Sequence, residues 1–83
     1  MIQVLLFARL RDEVGESVLK LELDSPCTVA NIRESIIQAC PQQARLFSAG
    51  QALVAINQTL TNDEQAVVTD KDEIAFFPPM TGG

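Results

Sequence analysis

From Ile2 to Ala8 the chain is apolar almost without interruption and no breaker ends the run, which predicts a buried strand. Alternation sends Ile2, Val4 and Leu6 to one face and Leu5 and Phe7 to the other. Arg9 to Val14 follows as one or two turns of helix, with Gly15 as its stop. Ser17 to Leu23 alternates cleanly: Leu19, Leu21 and Leu23 inward, Val18, Lys20 and Glu22 outward, as in a strand with one wet face. These two strands make a hairpin. Asp24-Ser25-Pro26 breaks the second of them, and Thr28 caps a helix. The helical stripe is Val29, Ile32, Ile36 and Cys40, widened by Ile37, while Arg33, Glu34 and Gln38 fall on the other side. Pro41 cannot continue the helix, so it ends near Cys40.

The second half is built of shorter pieces. Gln42 to Gly50 reads as a connector with Leu46 and Phe47 tucked beneath it. Ala52 to Ile56 predicts a third strand, Asn57-Gln58 a turn, and Thr59-Leu60 a brief pairing. Asp63-Glu64 marks another turn. Thr69 to Asp72 is a polar turn into the last strand, Glu73 to Phe77. If Ile74 and Phe76 face the core, Ala75 and Phe77 face away from it. Pro78 and Pro79 end the pairing, because neither can donate to a ladder. Nothing in Met80-Thr81-Gly82-Gly83 can fold on itself, so residues 1–78 read as the domain and residues 79–83 as a flexible tail. A right-handed crossover after the hairpin places the third strand parallel to the first. The expected architecture is α+β, a mixed sheet packed on one main helix.

Charge and composition narrow the function. The net charge of −5 argues against nucleic acid, whose binding rests on phosphate neutralisation, and favours a partner with a basic surface. No apolar run approaches the roughly 20 residues of a membrane span, and no basic segment precedes the first strand as in a signal peptide. A soluble cytoplasmic protein is expected. The chain has no His, which removes Ser-His and Cys-His pairs and the usual zinc sites. Cys27 and Cys40 flank the helix, about 18 Å apart at 1.5 Å rise per residue, too far for a disulfide. Asp70, Asp72 and Glu73 lack the Gly and distal Glu of a calcium loop. No metal site is expected.

Two features remain as candidate chemistry. The first is the Gly82-Gly83 ending: without side chains it can thread a narrow channel and present the Gly83 carboxylate, inert until activated as an acyl-adenylate, to a sulfur nucleophile. The second is an aromatic patch. Phe7 and Phe77 share the face away from the core, with Leu60 near them, and grouped exposed aromatics mark a binding surface.

The ending Ile74-Ala75-Phe76-Phe77-Pro78-Pro79-Met80-Thr81-Gly82-Gly83 closely resembles that of the small subunit of molybdopterin synthase. Weaker likenesses accompany it at Leu6-Phe7-Ala8, Leu10 to Gly15, Thr28-Val29 and Val54 to Gln58. Lys71 departs from the pattern, which often has Gly there, and Gln42 to Gln51 matches poorly. The resemblance implies the ubiquitin-like β-grasp fold and a sulfur carrier that has no turnover alone. In such a carrier an E1-like enzyme adenylates Gly83 with ATP, and sulfur from a persulfide donor turns it into a thiocarboxylate. No cofactor is held permanently. The tail, Met80 and Thr81 included, enters the large synthase subunit in a heterotetramer of two small and two large subunits. Sulfur then passes to a cyclic pyranopterin phosphate, building the molybdopterin dithiolene. Phe7, Leu60, Phe77 and Arg11 are the partner contacts so implied. The residues alone leave open a carrier for thiazole or cysteine synthesis, a ubiquitin-like protein modifier, and a passive interaction domain.

Overall fold

The computed structural model describes residues 1–48 and 51–79. Strand β1 spans Ile2–Leu6, helix α1 Ala8–Val14 and strand β2 Val18–Leu21. A two-residue strand β3, Cys27–Thr28, leads directly into the main helix α2, Val29–Ala39. A 3₁₀ turn at Pro41–Gln43 and a single turn α3, Ala44–Phe47, fill the connector. Then come β4 (Leu53–Ile56), β5 (Thr59–Thr61), β6 (Val67–Val68) and β7 (Ile74–Phe77). Among the described residues, five strands form one sheet in the order β2-β1-β7-β4-β5, and β3 pairs with β6 separately. The expected mixed sheet on one main helix is present.

One expected relation is reversed. The parallel neighbour of β1 is the last strand, β7, with Val4 opposite Ile74. β7 runs antiparallel to β4, so the third long strand is antiparallel to β1, not parallel. The reason is topological. The crossover through α2 starts from β2, and its handedness constrains the strand it enters relative to β2. Since β2 is antiparallel to β1, a strand parallel to β2 opposes β1.

The core lies between the sheet and α2. Ile2, Val4 and Leu6 of β1 and Ile74 and Phe76 of β7 point into it, each no more than 2% exposed. They meet Val29, Ile32 and Ile36 of α2, which are equally buried. Phe47 is fully buried as well and packs tilted on Phe76, ring centroids 5.9 Å apart. Of the inward leucines expected on the second strand, Leu21 is buried, while Leu19 and Leu23 pack half-buried at the core's edge.

Local chemistry fixes the element ends. The Thr28 hydroxyl accepts the Asn31 N–H, and the Asn31 side-chain oxygen accepts the Thr28 N–H, both at 3.1 Å, a reciprocal cap on the first turn of α2. Gly15 ends α1 with φ +86, its N–H donating to Arg11 O at 2.8 Å. Nothing crowds a Cβ at that position, so it is the left-handed backbone that calls for glycine.

Arg33 corrects the expected helix face. It is 6% exposed, not solvated. Its Nε and Nη2 donate to the two Glu64 carboxylate oxygens, each at 2.8 Å. Nη1 donates to Phe47 O at 2.7 Å and reaches Ser48 O and Ala52 O at 3.3 and 3.4 Å. The guanidinium also lies 5.3 Å from the centre of the Phe76 ring. Polarity alone assigns Arg33 outward, whereas its spacing, four residues after Val29 and four before Ile37, sets it on the edge of the buried stripe. There a fork of donors closes a connector that would otherwise leave carbonyls unpaired.

Candidate functional site

On the sheet face away from α2 the pleat exposes the alternate residues. Val4, Leu6, Ile74 and Phe76 point inward, so Leu5, Phe7, Ala75 and Phe77 point outward. β1 and β7 run in register, with Leu6 opposite Phe76. The Phe7 N–H donates to Phe76 O at 3.2 Å, carrying the ladder one residue past the end of β1. That sets Phe7 beside Phe77, and their rings stack with centroids 4.8 Å apart and planes 10° from parallel. Directly afterwards Ala8 adopts φ +53, a left-handed conformation uncommon outside glycine, and turns the chain into α1.

The neighbouring strands complete a groove. Leu53 lies opposite Phe77 and Ala55 opposite Ala75, while Leu60 of β5 lies opposite Ala55. The result is an apolar trough of about 640 Å³. Phe7 and Phe77 stand at one end, the paired alanines form the floor, and Leu5 and Leu60 form the sides. Gln58 and Glu73 supply the polar end. Leu60 is 64% exposed and Phe7 39%, so large apolar surfaces meet water here. A contiguous patch of this kind is what partner recognition uses.

Hydrogen bonds hold the polar end. Asn57 and Gln58 turn β4 into β5 with φ +51 and +70. The Asn57 N–H donates to Glu73 O at 2.8 Å, and its side-chain oxygen accepts the Glu73 N–H at 2.9 Å. Its amide nitrogen donates to Asp72 at 3.0 Å, and the other Asp72 oxygen accepts the Thr69 N–H at 2.8 Å. These bonds, that from Asn57 foremost, hold the Asp72 carboxyl below the usual carboxylate range. In the sequence Asn57-Gln58 and Thr69 to Asp72 are two separate turns, and the bracket that joins them is signalled only by Asn at one turn and Asp at the next. Lys71 fits without positive φ, so the departure from Gly leaves this turn intact.

The other expected site residues fall elsewhere. Arg11 is exposed on α1, outside the groove, with Nε 3.5 Å from Asp12. Cys27 is buried and Cys40 half-buried, both free thiols, and burial raises the Cys27 thiol above its ordinary value. Pro78 is half-buried and Pro79 exposed at the end of β7. Met80, Thr81, Gly82 and Gly83, with the expectation of a flexible tail, lie outside the described residues. Among the described residues no three His, Cys, Asp or Glu side chains are grouped to hold a metal, and no helix is long and apolar enough to cross a membrane. Among the described residues, the side chains lining the groove are apolar apart from Gln58 and Glu73, an arrangement suited to binding an apolar surface.

The chain is 46% identical to the molybdopterin synthase sulfur carrier subunit of Haemophilus influenzae and 41% identical to that of Escherichia coli, in both cases over the full length of each chain. The crystal structure of SAMP1 from Haloferax volcanii superposes with a TM-score of 0.80 at 25% identity, covering 99% of this chain and 98% of that one. The profile of the ThiS family matches residues 4–83, a range that includes Phe7, the whole of β7 and the last two glycines. With the expected sheet and helix in place beneath that match, the chain belongs to the ThiS family.

Proposed function

We propose that this chain is the sulfur carrier subunit of a molybdopterin synthase. The observation that carries the reading is full-length identity of 46% to a protein of that name. The apolar groove supports it as a place for a larger partner to dock. In this reading the Gly83 carboxylate attacks the α-phosphate of ATP on an E1-like enzyme, expelling pyrophosphate. The terminal sulfur of the donor's persulfide then displaces AMP to form an acyl disulfide, and a second thiol of the donor attacks the donor-side sulfur, leaving the terminal thiocarboxylate on Gly83 and a disulfide on the donor. The large subunit seats on Phe7, Leu60 and Phe77 and receives the segment from Pro78 to Gly83, with Met80 and Thr81 along its path and Arg11 at its edge. Two such carriers serve two large subunits, and sulfur passes to the cyclic pyranopterin phosphate. The chain alone turns nothing over and keeps no cofactor, and its place of work is the cytoplasm.

A second reading, attachment to protein lysines, draws on the likeness to SAMP1, named a small archaeal modifier protein. One experiment separates the two. The chain is incubated with the adenylating enzyme, ATP and a persulfide donor, and its intact mass is followed before and after addition of the large subunit and the pterin precursor. The carrier reading expects an oxygen-to-sulfur mass increase that disappears as product forms. Lysine-linked conjugates without pterin conversion would establish the modifier instead.

A further inference from the structure

Glu73, immediately before β7, and Ala75 and Phe77 within it share one face, because side chains two apart along extended backbone point the same way. They follow one another at about 6.8 Å along the strand. The groove is therefore graded: an aromatic wall at Phe77, a floor of Ala75 beside Ala55, and a carboxylate at Glu73. Among the described residues, Glu73 is the one charged residue lining the groove. Its neighbour Asp72 is committed to Asn57 and Thr69. The Glu73 backbone is fixed on both sides by Asn57, yet among the described residues its carboxylate has no hydrogen-bond or ion-pair partner. A carboxylate held in place by its backbone, exposed and unpaired at the end of an apolar trough, is arranged to meet a cation.

We propose that Glu73 is a specificity-determining contact of the groove: an apolar side chain of the partner lies on the Ala55–Ala75 floor, and a Lys or Arg of the same segment, about one strand repeat away, pairs with Glu73. The inference rests on the docking role of the groove proposed above and names the chemistry of the segment that docks. The floor is alanine on both strands, so it has room for a side chain the partner brings. The chain's net charge of −5 draws a basic partner from a distance, and Glu73 gives that attraction a fixed register on the groove.

The test is a titration of the large subunit with the wild-type chain and with Glu73→Gln, Glu73→Lys, Glu34→Gln and Phe77→Ala, at low and high salt, beside a melting curve for each. Glu34 is exposed on α2, on the opposite side of the sheet, and its substitution changes net charge by the same amount as Glu73→Gln. The expected result is a loss of about threefold to fivefold for Glu73→Gln at low salt, a larger loss for Glu73→Lys, and no change for Glu34→Gln. The differences close at about 1 M salt, where screening acts within about 3 Å. Binding of Glu73→Gln as tight as wild type, with Phe77→Ala impaired, overturns the inference and leaves the docking groove standing. Equal losses for Glu34→Gln and Glu73→Gln also overturn it, since net charge alone then accounts for them. No binding by the wild-type chain overturns the functional reading and this inference together.

Discussion

Phe76 and Phe77 are adjacent on β7 and serve opposite faces of the sheet. Phe76 is fully buried beneath Arg33 and against Phe47, so Phe76→Ala should cost about 3–5 kcal/mol of stability, measured by chemical denaturation. Phe77 is half-buried against Phe7. Phe77→Ala should leave the chain folded and weaken docking on the large subunit by about 2 kcal/mol or more, measured by calorimetric titration. An unfolded Phe77→Ala whose folded fraction binds normally would show that the ring serves the fold. Period-two alternation alone separated these neighbours in the sequence. It had nothing to say about Arg33, because hydropathy treats a guanidinium as solvated and cannot see that three connector carbonyls and Glu64 await it. That ion pair has a pH signature. The hydrogen bonds from Arg33, against the opposing pull of desolvation, hold the Glu64 carboxyl below its ordinary 4.5. A carboxyl lowered in the folded state contributes stability that is complete above its unfolded value and is lost as pH falls through its folded value. Thermal stability should therefore decline on acidification below about pH 4.5. Glu64→Gln should lower stability at neutral pH by about 2 kcal/mol and make that decline shallower. Asp72 shifts in the same direction, so the difference between variant and wild-type pH profiles isolates Glu64.

At the scale of elements, what could be read beforehand was whatever repeats. The stripe of α2, the alternation of β1 and the Gly15 stop each recur over a turn or more or rest on a residue with a single conformational use. The strands β3 and β6 are two residues each, too short for any period, and exist because Cys27 pairs with Val68 across the mouth of the core. The direction of β4 relative to β1 follows from the sequence only when the crossover is referred to β2, the strand that feeds the helix, and not to the first strand of the hairpin. Thr28 was legible as a cap, but its partner Asn31 was not, Asn being the less usual residue three positions on. Thr28→Ala should cost about 1 kcal/mol by denaturant titration and leave groove affinity unchanged, since α2 packs on the far face of the sheet. A parallel loss of affinity would mean that the two faces are coupled through the sheet.

For the molecule as a whole, the groove and the Gly-Gly ending lie on the two sides of one boundary, Phe77-Pro78. Both were visible as sequence features, the first from strand parity and the second as a bare motif, whereas the graded interior of the groove was not, since it depends on which alanines pair across β4 and β7. In the proposed reading a carboxyl carbon one residue out of place is displaced by about 3.3 Å, and even about 1 Å can cost on the order of 100-fold in rate. Deleting Gly83, or adding one residue after it, should abolish sulfur transfer, and Gly82→Val should impair it. Melting curves should match wild type in all three, because the buried core runs from Ile2 to Phe76. Wild-type sulfur transfer by the chain lacking Gly83 would dispose of the carrier reading.

The central position of β7 has a consequence for the time course of folding. It lies between β1 and β4, and its partners include Val4, near the other end of the sequence from Ile74. Until that long loop closes, the hairpin of β1 and β2 and the hairpin of β4 and β5 are separate pieces with no shared ladder. Contacts between residues far apart in sequence must overcome closure entropy before they return any energy, and they slow two-state folding. Refolding should fall in the slower, millisecond part of the range for small mixed domains, and a fragment ending at Glu73 should stay unfolded. A synthetic peptide carrying Ile74 to Phe77 and its flanks should restore structure to that fragment by strand complementation.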